Sequence, residues 1–556
     1  MPDFFKDKSL WDRVRESDDF ARHRRDIEEI YIKAFKNAPR SHSLEDILEN
    51  KDQGLWHDQL MQLQSSAMMS LIYPDNEKYY TDLLRIIWAY CNEYSWAPLG
   101  HYTMQYYGKT PKDFDCGLID IFAASVGFSL AEIKSLFKDR FPSLITDRIT
   151  YEINRRIIEP YRTRRFFWEK HNNNWNAVCT GAVGGTLIYE APEVFFENQE
   201  RLHKSMETYL ASFRDDGMCV EGVGYWSFGF GFFISYATLE KEITGGEVDW
   251  FKLPKVKEIS KFLQKVFLQK DLIVTYGDCD IEQKYFFAQP HMLKTVYGDE
   301  IENLPLNRSE IKDNSHFNFL LRSVVYYNKD YVSDDINNNV TYWTRDSAYF
   351  VKRTPKYAFS AKGGNNGESH NHIDVGTFIL AKNNIPIITD IGAGPYEDGY
   401  HFEKRYTYFH PSAYSHSIPL FDGAGEDSIG REYVLIDYND EKNEIGMDIA
   451  SAYGTDFLKR AYRSFKFTDC TVTLHDSFEI TGEKEITERL ITVTEPKIAD
   501  GVAVIDGVPL IQPDGIIPNI TVKEVKSHRG MPHNVYILDY VLKKGQTEFT
   551  LTFDLM

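Results

Sequence analysis

Apolar residues recur at three- and four-residue spacing through the first 335 positions of this chain. Leu60–Ile72, Asp82–Cys91 and Ile259–Leu268 are such segments, and a stripe at that spacing lies along one face of an α-helix. Gly and Pro fall between these segments, where they end helices. Long runs of paired helices with short connections predict a helical toroid or solenoid, although no exact repeat accompanies them. From about Asn339 the pattern shortens. Val340–Val351, Thr377–Leu380, Ile385–Thr389, Tyr433–Ile436, Cys470–Leu474, Leu490–Thr494 and Phe549–Phe553 are β-branched or aromatic runs, parted by turns such as Lys382-Asn-Asn384 and Asp506-Gly507. Many short strands in some two hundred residues predict an antiparallel β-sandwich. The expected fold class is multidomain α+β, with a helical domain over 1–335 and a β domain over 336–556. The boundary falls at the Asn-rich Asp335–Asn339.

A length of 556 residues is too great for one hydrophobic core, which agrees with that division. The apolar share of 42% excludes disorder. Tyr (35) and Phe (37) are unusually many; such rings either fill cores or line clefts that take the C–H faces of sugars. A net charge of −20 excludes the basic footprint of a nucleic-acid binder. One basic cluster remains: Arg148, Arg155, Arg156, Arg162, Arg164 and Arg165. It is either a local anion patch or a solvated helix face paired with Glu152 and Glu159. The six cysteines lack CxxC spacing and read as reduced thiols. No apolar run has the length of a membrane span. The charged N-terminus, Met-Pro-Asp-Phe-Phe-Lys-Asp-Lys, lacks a signal peptide's apolar stretch. That predicts a cytoplasmic protein, with a secreted form whose signal has been removed left open.

Three segments carry chemistry. In His370-Asn-His372, Asp390 and His416, two imidazoles, a carboxylate and a third imidazole form a ligand set that zinc accepts. On a strand His370 and His372 would share a face; in a loop one would hold metal while the other met a substrate. His171-Asn-Asn-Asn-Trp175 packs carboxamides beside a tryptophan, suited to gripping a carboxylate or to capping a helix. Asp215–Trp226 brings acidic residues, glycines and Tyr225, a proton donor or a packing residue.

Taken together, His370–Phe378, Pro386–Gly392, Tyr396 and Ser415-His-Ser417, with the upstream Asn-Asn-Trp and Glu-Gly-x-x-Tyr segments, resemble the signature of heparinase II/III-like polysaccharide lyases. The resemblance implies an α/α toroid followed by antiparallel β-sheets, with the cleft between them. It implies β-elimination of uronic-acid glycans such as heparan sulfate, chondroitin sulfate, hyaluronan or alginate, leaving a 4,5-unsaturated sugar. By the same resemblance Asn173 or Asn174 neutralises the uronate carboxylate, Tyr225 is the catalytic acid and can be a base as well, and His370 faces the substrate and can serve as the second base. His372, Asp390 and His416 would hold a structural divalent metal, usually zinc. Trp175, Glu221, Tyr396 and Tyr408 are the expected substrate-binding residues, and Tyr396, Tyr400, Tyr406 and Tyr408 are all candidates for a second catalytic tyrosine. The expected partner is an acidic oligo- or polysaccharide. Two rival readings stay open: a glycoside hydrolase using Asp216 and Glu221 as its carboxylate pair, and a non-catalytic glycan binder with a metal staple.

Overall fold

The computed structural model describes every residue except 1–4, 6, 49–51, 99–100, 102–116, 312–315, 334, 369 and 401. Helices fill most of the first 325 residues. Asp52–Ile72 packs on Ala21–Ala34 and Glu77–Cys91, and Ile121–Phe137 packs on Ser143–Ile153 and Asn174–Glu190. Phe317–Val325, late in the chain, returns to touch both Asp52–Ile72 and Ile121–Phe137, which closes the layer into a toroid.

Asn174–Glu190 is the axis of this half. It also contacts Pro192–Leu210 and Gly231–Ile243, and it is buried on every side from Asn176 to Ile188, as expected of a helix without a polar face. Its small residues make that crowding feasible. A Cβ at Gly181 would stand 2.9 Å from the Phe232 carbonyl oxygen, so only glycine lets the neighbouring helix approach so closely. The N-terminal end of this helix carries the Asn triplet.

Three antiparallel sheets follow. The first has five strands in chain order: Val340–Thr344, Tyr349–Arg353, Ala358–Lys362, Phe378–Lys382 and Ile385–Ile388. Because side chains alternate across a strand, Tyr349, Val351 and Ile379 face the helical core. Phe350, Phe359 and Phe378 face the other way and pack on Phe465, Phe467 and Phe553. Those last residues belong to an eight-stranded sheet centred on Leu458–Phe467, Thr471–Ile480 and Glu548–Asp554. A four-stranded sheet, Pro419–Phe421, Ile486–Thr492, Pro532–Val541 and Asn519–Lys526, lies against Ile385–Ile388.

A hairpin within the helical half, Phe267–Gln269 with Leu272–Ile273, docks on the first sheet. The loop after it runs into the β half. The Asp278 N–H donates to the His370 carbonyl (3.1 Å), the Ala393 N–H to the Cys279 carbonyl (2.9 Å), and Thr275 Oγ1 to the Asp390 carbonyl (2.7 Å).

The arginine cluster pairs in large part with Glu152 and Glu159, but Glu152 and Arg156 are fully buried rather than solvated. Arg148, Arg155 and Arg156 all pair with Glu152, and Arg162 pairs with Glu159. Five cysteines are free thiols, and Cys116 lies outside the described residues. Among the described residues no helix is long and apolar enough to cross a membrane.

Candidate active site

A cavity of about 360 Å³ opens in the helical half, where it meets the loop that holds Glu368 between Ala358–Lys362 and Phe378–Lys382. Asn172, Asn173 and Asn174 form one wall, Tyr209 and Ser212–Arg214 another, and Glu221, Tyr225 and Glu368 the rest. Asn173 is the residue before the first turn of Asn174–Glu190, yet its side chain does not cap that helix. Its Oδ1 is buried with no protein partner. The triplet therefore meets the cavity as amide groups rather than as a cap.

Tyr225 ends a one-turn helix, Val223–Tyr225, entered through Gly222 at a φ of +96°, a conformation open to glycine. A π-helical turn over Trp226–Phe230 follows. The Tyr225 ring stacks on the His370 ring at 4.1 Å between centroids, and its hydroxyl lies 3.1 Å from that of Tyr396. Burial, and then the nearby Asp278 charge, push the Tyr225 phenol above its ordinary value. Tyr225 is thus a phenol, not a phenolate, near neutral pH.

His370 and His372 lie in the loop between Ala358–Lys362 and Phe378–Lys382, not on a strand. His370 takes a left-handed φ of +55°. Asp278 stands between them. Its Oδ2 meets His370 Nδ1 at 2.8 Å, and its Oδ1 meets His372 Nε2 at 3.2 Å. The Tyr400 hydroxyl (2.9 Å) and Arg405 Nη2 (2.8 Å) also donate to Oδ1. Burial alone would raise the Asp278 pKa, but the histidine hydrogen bonds and the Arg405 charge hold it far below the usual carboxylate range.

Behind His372 lie Asp390 and His416, all three fully buried, with candidate ligand atoms within 4.8 Å of one another. His416 Nδ1 contacts Asp390 Oδ2 at 2.9 Å. Burial lowers the His372 pKa; Asp390 overrides burial at His416 and raises it. His372 Nδ1 and His416 Nε2 are buried with no partner. Two unpartnered imidazole nitrogens beside a carboxylate fit a divalent ion such as zinc. An ion held there would brace the loop that carries His370.

The other expected residues divide. Glu221 lines the cavity, with Oε1 4.0 Å from His370 Nε2. Tyr396 reaches Tyr225, whereas Tyr406 donates its hydroxyl to Asn371 Oδ1. Trp175 packs on His101 and Phe167 instead of lining the cavity. Tyr408 stands behind Tyr400 and gives its hydroxyl to the Asp398 carbonyl (2.7 Å). Asp278 and Arg405 drew no notice in the sequence, since neither lies in a motif. The Gly-Asp-Cys-Asp run at 277–280 was the one available sign, glycine permitting close backbone approach beside two carboxylates.

No family model matches the chain, and no curated protein matches it. Solved structures do. A heparinase III aligns with a TM-score of 0.63 at 12% identity, over 98% of this chain and 93% of its own. The heparan sulfate lyase of Pedobacter heparinus gives 0.59 at 13%, over 98% and 92%. The chondroitin AC lyase of Streptomyces coelicolor A3 gives 0.57 at 9%, over 98% and 82%. The fold is that of the heparinase III lyases. The expected α/α toroid with antiparallel β-sheets is therefore present, and the lyase fold spans nearly the whole chain.

Proposed function

We propose that this protein is a polysaccharide lyase that cleaves uronic-acid-containing glycans by β-elimination. The observation that carries the reading is a phenol, Tyr225, stacked on His370 beside a cavity walled by three carboxamides. Elimination needs the uronate C5 proton removed, and the adjacent carboxylate resists that while it is charged. Amide N–H donors of Asn173 or Asn174 would draw off that charge and stabilise the enolate-like species that develops. His370 would take the C5 proton. The electron pair of that C–H bond becomes the C4–C5 double bond, and the C4–O4 bond breaks. The phenol of Tyr225, kept protonated by burial, gives its proton to the departing O4. Tyr396 would orient that hydroxyl.

The hydrolase reading needs Asp216 beside Glu221. Asp216 instead accepts from the Ser347 N–H (2.8 Å) and hydroxyl (2.6 Å), outside the cavity lining. The lyase reading is also in keeping with the likeness in fold to lyases of heparan and chondroitin.

The cavity's described lining has one guanidinium, Arg214, paired with Glu368 at 3.0 Å, and a second carboxylate in Glu221. Sulfated chains need clustered cations, so this lining favours a uronan with few sulfates: hyaluronan, unsulfated heparan stretches or alginate. A substrate panel read by ultraviolet absorbance tests both points, because only elimination forms a conjugated double bond. Reducing ends that accumulate without new absorbance would refute the lyase reading. Faster cleavage of highly sulfated heparin than of its unsulfated counterpart would refute the preference.

A further inference from the structure

Asp278 belongs to none of the expected catalytic or metal-binding residues, yet among the described residues it is the one carboxylate hydrogen-bonded to both histidines. It is fully buried, and it arrives on a loop from the helical half. An ionised carboxylate only accepts hydrogen bonds. Each histidine nitrogen facing it must therefore carry a proton. In a neutral ring, the His370 nitrogen so protonated is Nδ1, which leaves Nε2 as the lone pair; at His372 it is Nε2, which leaves Nδ1. The lone pair of His372 is the same Nδ1 that lies buried and unpartnered beside Asp390 and His416.

We propose that Asp278 is a positioning residue that sets opposite tautomers on the two histidines, one as a base and the other as a metal ligand. The base half of the proposal rests on the lyase reading; the ligand half does not. Neighbours keep the carboxylate in register. Arg405 Nη2 and the Tyr400 hydroxyl both donate to Oδ1, as His372 does, while among the described residues His370 alone meets Oδ2 in hydrogen-bond contact.

That asymmetry makes the isosteric substitution informative. In Asp278→Asn the single amide oxygen is drawn to the three donors at the Oδ1 position, so the NH2 faces His370 Nδ1. A donor there forces His370 into the Nε2–H tautomer and removes its basic nitrogen. The expected result is a fall in kcat of about 10²- to 10⁴-fold, the range for a lost general base. KM and zinc affinity should change little. Asp278→Ala releases both rings, and zinc affinity, measured by chelator competition, should fall about 10- to 100-fold.

The wild-type protein supplies a measurement in which variants serve only for assignment. In metal-stripped, histidine-labelled protein, ¹⁵N spectra should show His370 as Nδ1–H and His372 as Nε2–H, assigned through His370→Gln and His372→Gln. The proposal is overturned by the reverse tautomer at His372, by an unchanged kcat in Asp278→Asn, or by unchanged zinc affinity in Asp278→Ala. If wild-type protein cleaves no uronan, the lyase reading fails, while the spectra and the zinc titration still judge Asp278.

Discussion

Replacing Tyr225 by Phe removes one hydroxyl from a ring held between His370 and Tyr396. On the uronan that wild-type protein cleaves, kcat should fall by about 10²- to 10⁴-fold, the range for a lost general acid. Thermal unfolding should stay where it is, since the ring itself remains packed. His372→Ala should lower melting temperature and zinc content together, because metal binding is linked to folding. His370→Ala should lower activity and keep the zinc; equal metal loss in both variants would refute that division. Glu426 offers a test by pH. Burial pushes its carboxyl from an ordinary 4.5 up to about 8, despite hydrogen bonds from Asn366 and Val375. The fold prefers the neutral form, so stability is full below about pH 4.5 and is lost as pH rises toward 8. Glu426→Gln should therefore raise the melting temperature at pH 8.5 and leave it unchanged near pH 4.5. Among these residues the candidate ligands His372, Asp390 and His416 were named from sequence, and the fold brings their ligand atoms within 4.8 Å of one another. Asp278 was not legible, because its partner His370 lies 92 positions away and no local pattern marks a carboxylate whose donors come from another layer.

At the scale of elements, Asn174–Glu190 sets where the Asn triplet stands. Gly181→Ala would drive a methyl group against the Phe232 carbonyl. Overpacking of this kind costs roughly 1–3 kcal/mol. It should appear as a lower urea midpoint, together with a raised KM, since the helix end that presents Asn173 and Asn174 would shift. Helices and strands were readable from their periods of three-to-four and two. The loop carrying His370 and His372 was not, because a His-x-His run fits a strand or a turn equally well. At His370 it takes a left-handed φ, and the His370 carbonyl accepts from the Asp278 N–H of another layer. Trp175, expected from the resemblance to bind substrate, packs on His101 and Phe167.

For the whole molecule, a charge of −20 opposes the approach of any polyanion. Raising ionic strength from about 0.01 to 0.15 M shortens the screening length from about 30 to 8 Å. KM for a long uronan should fall over that range, whereas a short oligosaccharide should respond less. The division into a helical and a sheet half was visible in the change of texture near Asn339, but the crossing of the loop at 274–280 was not. Nothing in a run of seven residues reports which layer it will enter. That crossing has a consequence for anyone who takes the chain apart. A cut near residue 335 would leave Asp278 on one fragment and both histidines on the other. Neither fragment then holds a finished site, and activity regained on mixing would measure how tightly the fragments reassociate. Chimaeras between this chain and others of the same fold should likewise be joined so that residues 267–283 travel with their own sheets.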